Sequence, residues 1–160
     1  MRGLVISDTH GRHRTFDLVV EAVGKIDFLI HLGDTEGGED YIEASVDCPC
    51  YIVAGNNDFF SDLQREREVT LQGCRMFLTH GHAYQVSLGP ERIIDEGRAR
   101  GCDVVMFGHT HKPYHYEKDG LLVLNPGNIA LPRQEGRKES YIILEIDEAG
   151  KVSWEQCYWE

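Results

Sequence analysis

The sequence has no run approaching the ~20 apolar residues that a helical membrane span needs. Met1 leads straight into a short apolar segment, with no charged and apolar leader before it. Together these features predict a cytoplasmic protein with no membrane anchor. Basic residues are scarce. Sixteen lysines and arginines face 27 aspartates and glutamates, for a formal net charge of -11. Coating a nucleic acid takes a basic footprint, so no stable nucleic-acid partner is expected. An enzyme acting on phosphate esters stays open, because bound cations reverse the local sign of a site. Cysteine is also sparse and scattered, at Cys48, Cys50, Cys74, Cys102 and Cys157. The odd number and the lack of C-x-x-C spacing do not describe a disulfide framework or a zinc knuckle, and leave buried or surface thiols. No linker, repeat or low-complexity tract interrupts the 160 residues, which read as a single domain, 1–160, able to bury one core.

What the sequence does have is a series of short apolar runs, each stopped by a polar turn. Gly3 to Ile6 ends at Ser7-Asp8-Thr9-His10-Gly11. Phe28 to Leu32 ends at Gly33-Asp34. Tyr51 to Ala54 ends at Gly55-Asn56-Asn57-Asp58. Between them, Phe16, Val19, Val20 and Val23 recur at helical spacing, and Glu39 to Val46 is a weaker helical segment. Strands alternating with helices predict a parallel α/β sheet. Further on, Glu68 to Leu71 and Arg75 to Thr79 flank Gln72-Gly73-Cys74, a hairpin pattern. A helix is expected from about Pro90 to Arg100. Val104 to Phe107 is another buried strand. Tyr114–Glu117, Leu121–Leu124, Tyr141–Ile146 and Val152–Tyr158 are strand-like, with Asp119-Gly120 and Ala149-Gly150 as turns. Two facing mixed sheets flanked by helices accommodate this order.

The chemistry gathers at the ends of those runs. Asp8 and His10, Asp34, Asn56 to Asp58, His80 with His82, and His109 with His111 all follow apolar strands directly. Ligands of open α/β sheets bind at the C-terminal strand edge. Each cluster alone could be a turn or a helix cap. Five in one chain, each after an apolar run, are improbable as coincident turns. The donors are carboxylate, carboxamide and imidazole, with no thiolate, a mixture suited to Mn, Fe, Zn or Ni. Seven donors are too many for one four-coordinate ion and about right for two, the arrangement that clamps the oxygens of a phosphoryl displacement.

The order D-x-H, G-D, G-N-x-D, H-G-H, G-H-T-H resembles the calcineurin-like metallophosphoesterases. The run His109 to Pro113, with Asn125-Pro126-Gly127-Asn128 and then Pro132-Arg133, resembles their small bacterial and archaeal phosphodiesterase branch. The resemblance implies a four-layer α/β/β/α sandwich with the metal site at the strand C-terminal edge. It implies two divalent metal ions, with manganese expected and nickel, iron or zinc as alternatives. Asp8, His10 and His111 would hold one ion, Asn56, His80 and His109 the other, and Asp34 would bridge them. The implied activity is hydrolysis of a small phosphodiester by metal-activated hydroxide, and a homodimer or homotetramer is the implied assembly.

One position departs from the pattern. Many members carry a histidine between the Asn and the acidic residue of the third motif, where it assists the leaving group. Asn57 stands there and cannot deliver a proton at neutral pH. Asn57 and His82 are therefore the candidate catalytic positions, His82 because it sits two residues beyond a ligand and can face substrate. Asp58 is expected to orient its loop and Asn128 to cap one. Trp154 is expected to pack in the core, with an intersubunit contact as the alternative. Rival functions are a phosphomonoesterase or nucleotide pyrophosphatase of the same superfamily, and a non-enzymatic scaffold like the retromer subunit of this fold.

Overall fold

The apolar runs become strands that stop where polar residues begin. In the computed structural model, which describes residues 1–160, β1 (Arg2–Ile6), β2 (Phe28–His31) and β3 (Cys50–Ile52) pair in parallel, with Leu4 opposite Leu29 and Ile30 opposite Tyr51. Helices α1 (Arg14–Val23) and α2 (Glu39–Ala44) make the crossovers. In α1, Phe16 and Val19 are buried and Val20 and Val23 half-buried, which is the stripe that the spacing predicts. Gly24, at φ 71°, ends that helix in a conformation that costs glycine little.

The second half begins with the antiparallel hairpin β4 (Glu66–Leu71) and β5 (Cys74–Thr79). Its turn is Gln72-Gly73, with both φ angles positive, as a two-residue type I′ turn requires. Cys74 therefore opens β5 rather than closing the turn. Helix α3 (Glu91–Arg100) starts after Pro90 and ends at Gly101, with Glu91 in its first turn and Arg98 and Arg100 in its last, matching the helix dipole. Strand β6 (Val104–Met106) follows, then the hairpin β7 (Pro113–Lys118) and β8 (Leu121–Pro126), turned at Asp119-Gly120. Strands β9 (Ser140–Ile146) and β10 (Val152–Tyr158) close the chain.

These strands form two mixed five-stranded sheets, in the orders β10-β9-β1-β2-β3 and β4-β5-β6-β8-β7. Three apolar clusters define the four layers. One lies between the sheets and includes Val5, Ile30, Met76, Leu78, Leu124 and Leu144. A second joins α1 and α2 to the first sheet through Phe16, Val19, Ile42, Leu4 and Leu29. The third seats α3 on the second sheet through Ile93, Phe77, Val105 and Val123. Each side chain fully buried in these layers contributes about 1.5–3 kcal/mol from burial alone.

Several expected boundaries move. The third strand stops at Ile52: Val53 N still donates to the His31 carbonyl of β2, but Ala54 N turns to that of Gln64. The fifth buried run ends at Met106, and α2 at Ala44. A single turn of 3-10 helix, His82–Tyr84, follows His80 where the sequence pattern shows no periodicity. Trp154 is half-buried at the edge of the inter-sheet cluster, beside the His115 ring, rather than inside it. All five cysteines are free. No helix is long and apolar enough to cross a membrane.

Candidate metal centre

The five polar clusters lie at the C-terminal ends of β1, β2 and β3 in one sheet and of β5 and β6 in the other. Backbone hydrogen bonds draw the loops together. Asp8 N donates to the Gly33 carbonyl, His10 N to that of Asp34, and Gly108 N to that of His80. Two further bonds join the sheets: His80 Nδ1 meets the Leu32 carbonyl at 2.7 Å, and His109 N donates to Asp8 Oδ2 at 3.2 Å. The mouth of the sandwich is thus closed by the residues singled out from the sequence.

Their donor atoms converge. His111 Nε2 lies 3.2 Å from Asp8 Oδ1 and 3.2 Å from His10 Nε2. His80 Nε2 lies 3.3 Å from Asp34 Oδ2 and 3.3 Å from His109 Nδ1, which is 3.1 Å from Asn56 Oδ1. Neighbouring ligands of an ion bound at about 2.1 Å sit roughly 3.0–3.4 Å apart, so these spacings suit coordination. Two clusters with metal-ligand geometry result, Asp8-His10-His111 and Asp8-Asp34-His80. Both carboxylates lie between them. Asp34 Oδ2 is 3.9 Å from His10 Nε2, and Asp8 Oδ1 is 3.8 Å from His80 Nε2.

Three observations favour metal over a proton network. First, Asp8 Oδ1 is fully buried and has no hydrogen-bond donor, a costly state that a cation relieves. Second, the histidine tautomers are set from behind. Nδ1 of His10 faces Glu36 Oε1 at 3.0 Å, and Nδ1 of His80 and of His111 face the carbonyls of Leu32 and Leu131. Those acceptors require a proton on Nδ1, which makes Nε2 the nitrogen that can ligate an ion. His109 is reversed and presents Nδ1. Third, Asp8, His10, Asp34, His109 and His111 all hold positive φ, between 48° and 70°. Each costs roughly 1–2 kcal/mol for a non-glycine residue, strain of the kind that collects at functional sites.

The electrostatics follow from this crowding. Burial works against ionised Asp8, but the imidazoles of His10, His111 and His80 crowded around it outweigh that and hold the carboxyl far below its usual range. The Asp8 carboxylate beside it in turn pushes His10 up to about 9. Asp34 is lowered, its burial outweighed by His80 and the Asn57 amide. His82 and His109 are lowered, chiefly by burial and then by His80.

The candidate catalytic positions separate. The Asn57 backbone N–H and carboxamide both donate to Asp34, at 2.9 and 3.3 Å. The half-buried His82 ring lies 5.5 Å from that of His80 and 6.1 Å from that of His109, and its buried Nδ1 has no partner. Asp58 accepts from the backbone N–H groups of Asp34, Glu36 and Gly55 at 2.7–2.8 Å, and more weakly from Thr35. It therefore ties the second motif to the third. Asn128 caps its loop, accepting from Ala130 N and Leu131 N. Sequence reasoning missed three supports: Glu36 behind His10, the buried His31 bonded to Thr9 and Gly33, and Asn125, whose amide donates to the Gly108 carbonyl and Thr110 Oγ1. The spacing of Glu36, two residues after Asp34, was the one signal available. Gly55 and Gly108 let the loops approach, since a Cβ at either position would overlap the Asp34 carboxylate or the Ser7 and Asp8 side chains.

Comparison with known proteins identifies the family. Residues 1–149 match the model of the calcineurin-like phosphoesterase superfamily domain. The chain is 32% identical over 148 residues to a probable metallophosphoesterase of Bacillus subtilis, YsnB, covering 92% of this chain and 85% of that protein. It is 35% identical over 81 residues to the phosphodiesterase YfcE of Escherichia coli, covering 51% of this chain and 40% of the relative. The zinc complex of Vps29 from Entamoeba histolytica superposes with a TM-score of 0.78 at 26% identity, covering 99% of each chain. With the model match spanning nearly its whole length, this chain belongs to the calcineurin-like phosphoesterase superfamily.

Proposed function

We propose that this protein is a binuclear metal-dependent phosphodiesterase. The convergence of five donors in two clusters, with the orphaned Asp8 Oδ1 shared by both and His109 and Asn56 adjoining His80, is the observation that carries the reading. Asp8, His10 and His111 would hold one ion, Asn56, His80 and His109 the second, with Asp34 reaching both. When bound, two divalent ions, manganese in the first instance, supply Lewis acidity and lower the pKa of a shared water.

The chain's own groups do the rest. Glu36 and the Leu32 and Leu131 carbonyls keep the histidine rings oriented, and Asp58 and Asn57 fix the Asp34 carboxylate. His82, neutral at pH 7 because burial lowers it, can donate a hydrogen bond to a phosphoryl oxygen. Asn57 cannot serve as the general acid, because a carboxamide does not release a proton at neutral pH and this one is engaged with Asp34. Leaving groups that depart as stable anions are therefore favoured. The substrate class is a small phosphate ester.

The test is hydrolysis of bis-p-nitrophenyl phosphate beside p-nitrophenyl phosphate, after chelation and again after adding manganese. Diester hydrolysis that vanishes and returns with the metal supports the reading. A monoester preference moves the substrate class to phosphomonoesters. The likeness to Vps29 favours a second reading, a protein scaffold, and this becomes the better one if the protein binds no divalent ion and cleaves neither ester.

A further inference from the structure

We propose that the cleft beside the metal centre is a specificity pocket for the second ester group of a phosphodiester, and that it selects a group carrying its own negative charge on an apolar or aromatic body. This deepens the phosphodiesterase reading and rests on it. The cleft measures about 490 Å³, a volume in the range of small-molecule sites. Val86, Phe107, Pro113 and Tyr114 give it apolar walls, and Lys112 and Arg133 supply two positive charges. None of its eleven lining residues is acidic, in a chain where acidic residues outnumber basic ones 27 to 16. The ion pairs made by lysine and arginine elsewhere use Arg2, Arg75, Arg100 and Lys138. Lys112 and Arg133 take no part in them, and their side chains make no hydrogen bond within the fold.

The cleft is built onto the metal loops. Thr110, one of its walls, lies between His109 and His111, and its Oγ1 is held by Asn125 Nδ2 at 3.1 Å. Lys112 follows His111 directly, and Arg133 N donates to the His111 carbonyl at 3.0 Å. An ester arm leaving the metal site on this side therefore meets both cations. The one charge of a diester sits on the reacting phosphate, where the ions face it. A neutral arm would cover the apolar walls and leave Lys112 and Arg133 with water alone. An arm ending in carboxylate or phosphate fills the walls and pairs with the cations, which Arg can do in bidentate fashion.

The experiment compares phenyl p-nitrophenyl phosphate with its 3-carboxyphenyl counterpart on the manganese-loaded protein. Both release the same nitrophenolate, so a difference reports the second ester group. Calorimetric binding of phenylphosphonate and 3-carboxyphenylphosphonate supplies a readout independent of turnover. The charged ester is expected to be favoured ~10-fold in kcat/KM, through KM, the size of one good charge-assisted contact. Lys112→Gln and Arg133→Gln should each reduce that preference at least ~3-fold and leave the phenyl ester within ~2-fold of wild type. Both side chains are exposed, so the variants should keep the wild-type urea midpoint. Absence of a preference, or a preference that survives both substitutions, overturns the proposal. So does an Arg133→Gln variant that slows both esters equally, because Arg133 would then serve the reacting phosphate. If neither ester is cleaved but the phosphonates discriminate and lose that discrimination on substitution, the pocket stands and the phosphodiesterase reading fails. If the phosphonates do not discriminate either, both fail.

Discussion

Asp58 offers a quantitative test of how the site is held together. Its carboxylate receives three short bonds, from Gly55 N at 2.7 Å and from Asp34 N and Glu36 N at 2.8 Å. Hydrogen bonds to a charged group are worth roughly 1.5–3 kcal/mol each on deletion. The Glu36 contact is exposed, so water takes part of the load there. Asp58→Ala should therefore cost about 3 kcal/mol in the metal-free protein. With a urea slope of about 2 kcal/mol/M, the midpoint should fall by about 1.5 M at unchanged slope. The same change frees the loops bearing Asp34 and Asn56, and manganese affinity should drop ~10–100-fold. Asp58→Asn keeps the shape but turns an amide toward backbone donors, so it should fall between wild type and Ala. Urea melts followed by circular dichroism, with calorimetric manganese titration, measure both quantities. A midpoint within about 0.3 M of wild type would refute the reasoning, since the loops would then be held by other contacts.

Other perturbations separate the parts of the proposal. If Asp34 bridges the two ions as proposed, Asp34→Asn should lower the occupancy of both, measured by elemental analysis; two full equivalents in the variant would sink the bridging role. His10 is pushed up to about 9 and carries a proton at pH 7 that an ion must displace. Manganese affinity should therefore rise with pH, ~10-fold per unit, until it levels off near 9; calorimetry in buffers of different ionisation enthalpy should detect the proton released at pH 7. His31 is buried and pushed down to about 4 from 6.5. Between those values the unfolded chain binds a proton that the folded one does not. Its contribution, about 3 kcal/mol, is complete above pH 6.5 and is lost as the pH falls toward 4; an imidazole NMR titration with a midpoint near 6.5 would contradict this. With Asn57 unable to serve as the general acid, aryl phosphodiesters should turn over much faster than alkyl ones, and equal rates would show that a proton donor has been overlooked.

Much of the site was legible because its residues are local to strand ends. Asp8, Asp34, Asn56, His80 and His109 each follow an apolar run, and a strand's direction decides which of its ends carries them. The family motifs then named the same residues that the structure brings together. Roles that depend on contacts between distant loops were not legible. Asp58 looked like a loop residue, yet it spans two motifs 24 positions apart. Asn57 read as the place of a missing acid, and its amide is spent on Asp34. Glu36, His31 and Asn125 carried no periodic signal, since a buried polar residue is recognised by the partner that satisfies it.

Local sequence pattern accounts for the layers and for the set of donor residues at the strand ends. Apolar period and turn chemistry are properties of neighbouring residues, so β1 to β3, α1, α3 and the hairpins follow from local pattern. The assembled fold alone sets which nitrogen of each histidine turns toward the neighbouring donors, that Asp8 and Asp34 both lie between the two clusters, and that Lys112 and Arg133 share a cleft with Thr110. Those facts rest on the packing of one sheet against the other, and on backbone at positive φ that only the assembled loops can hold.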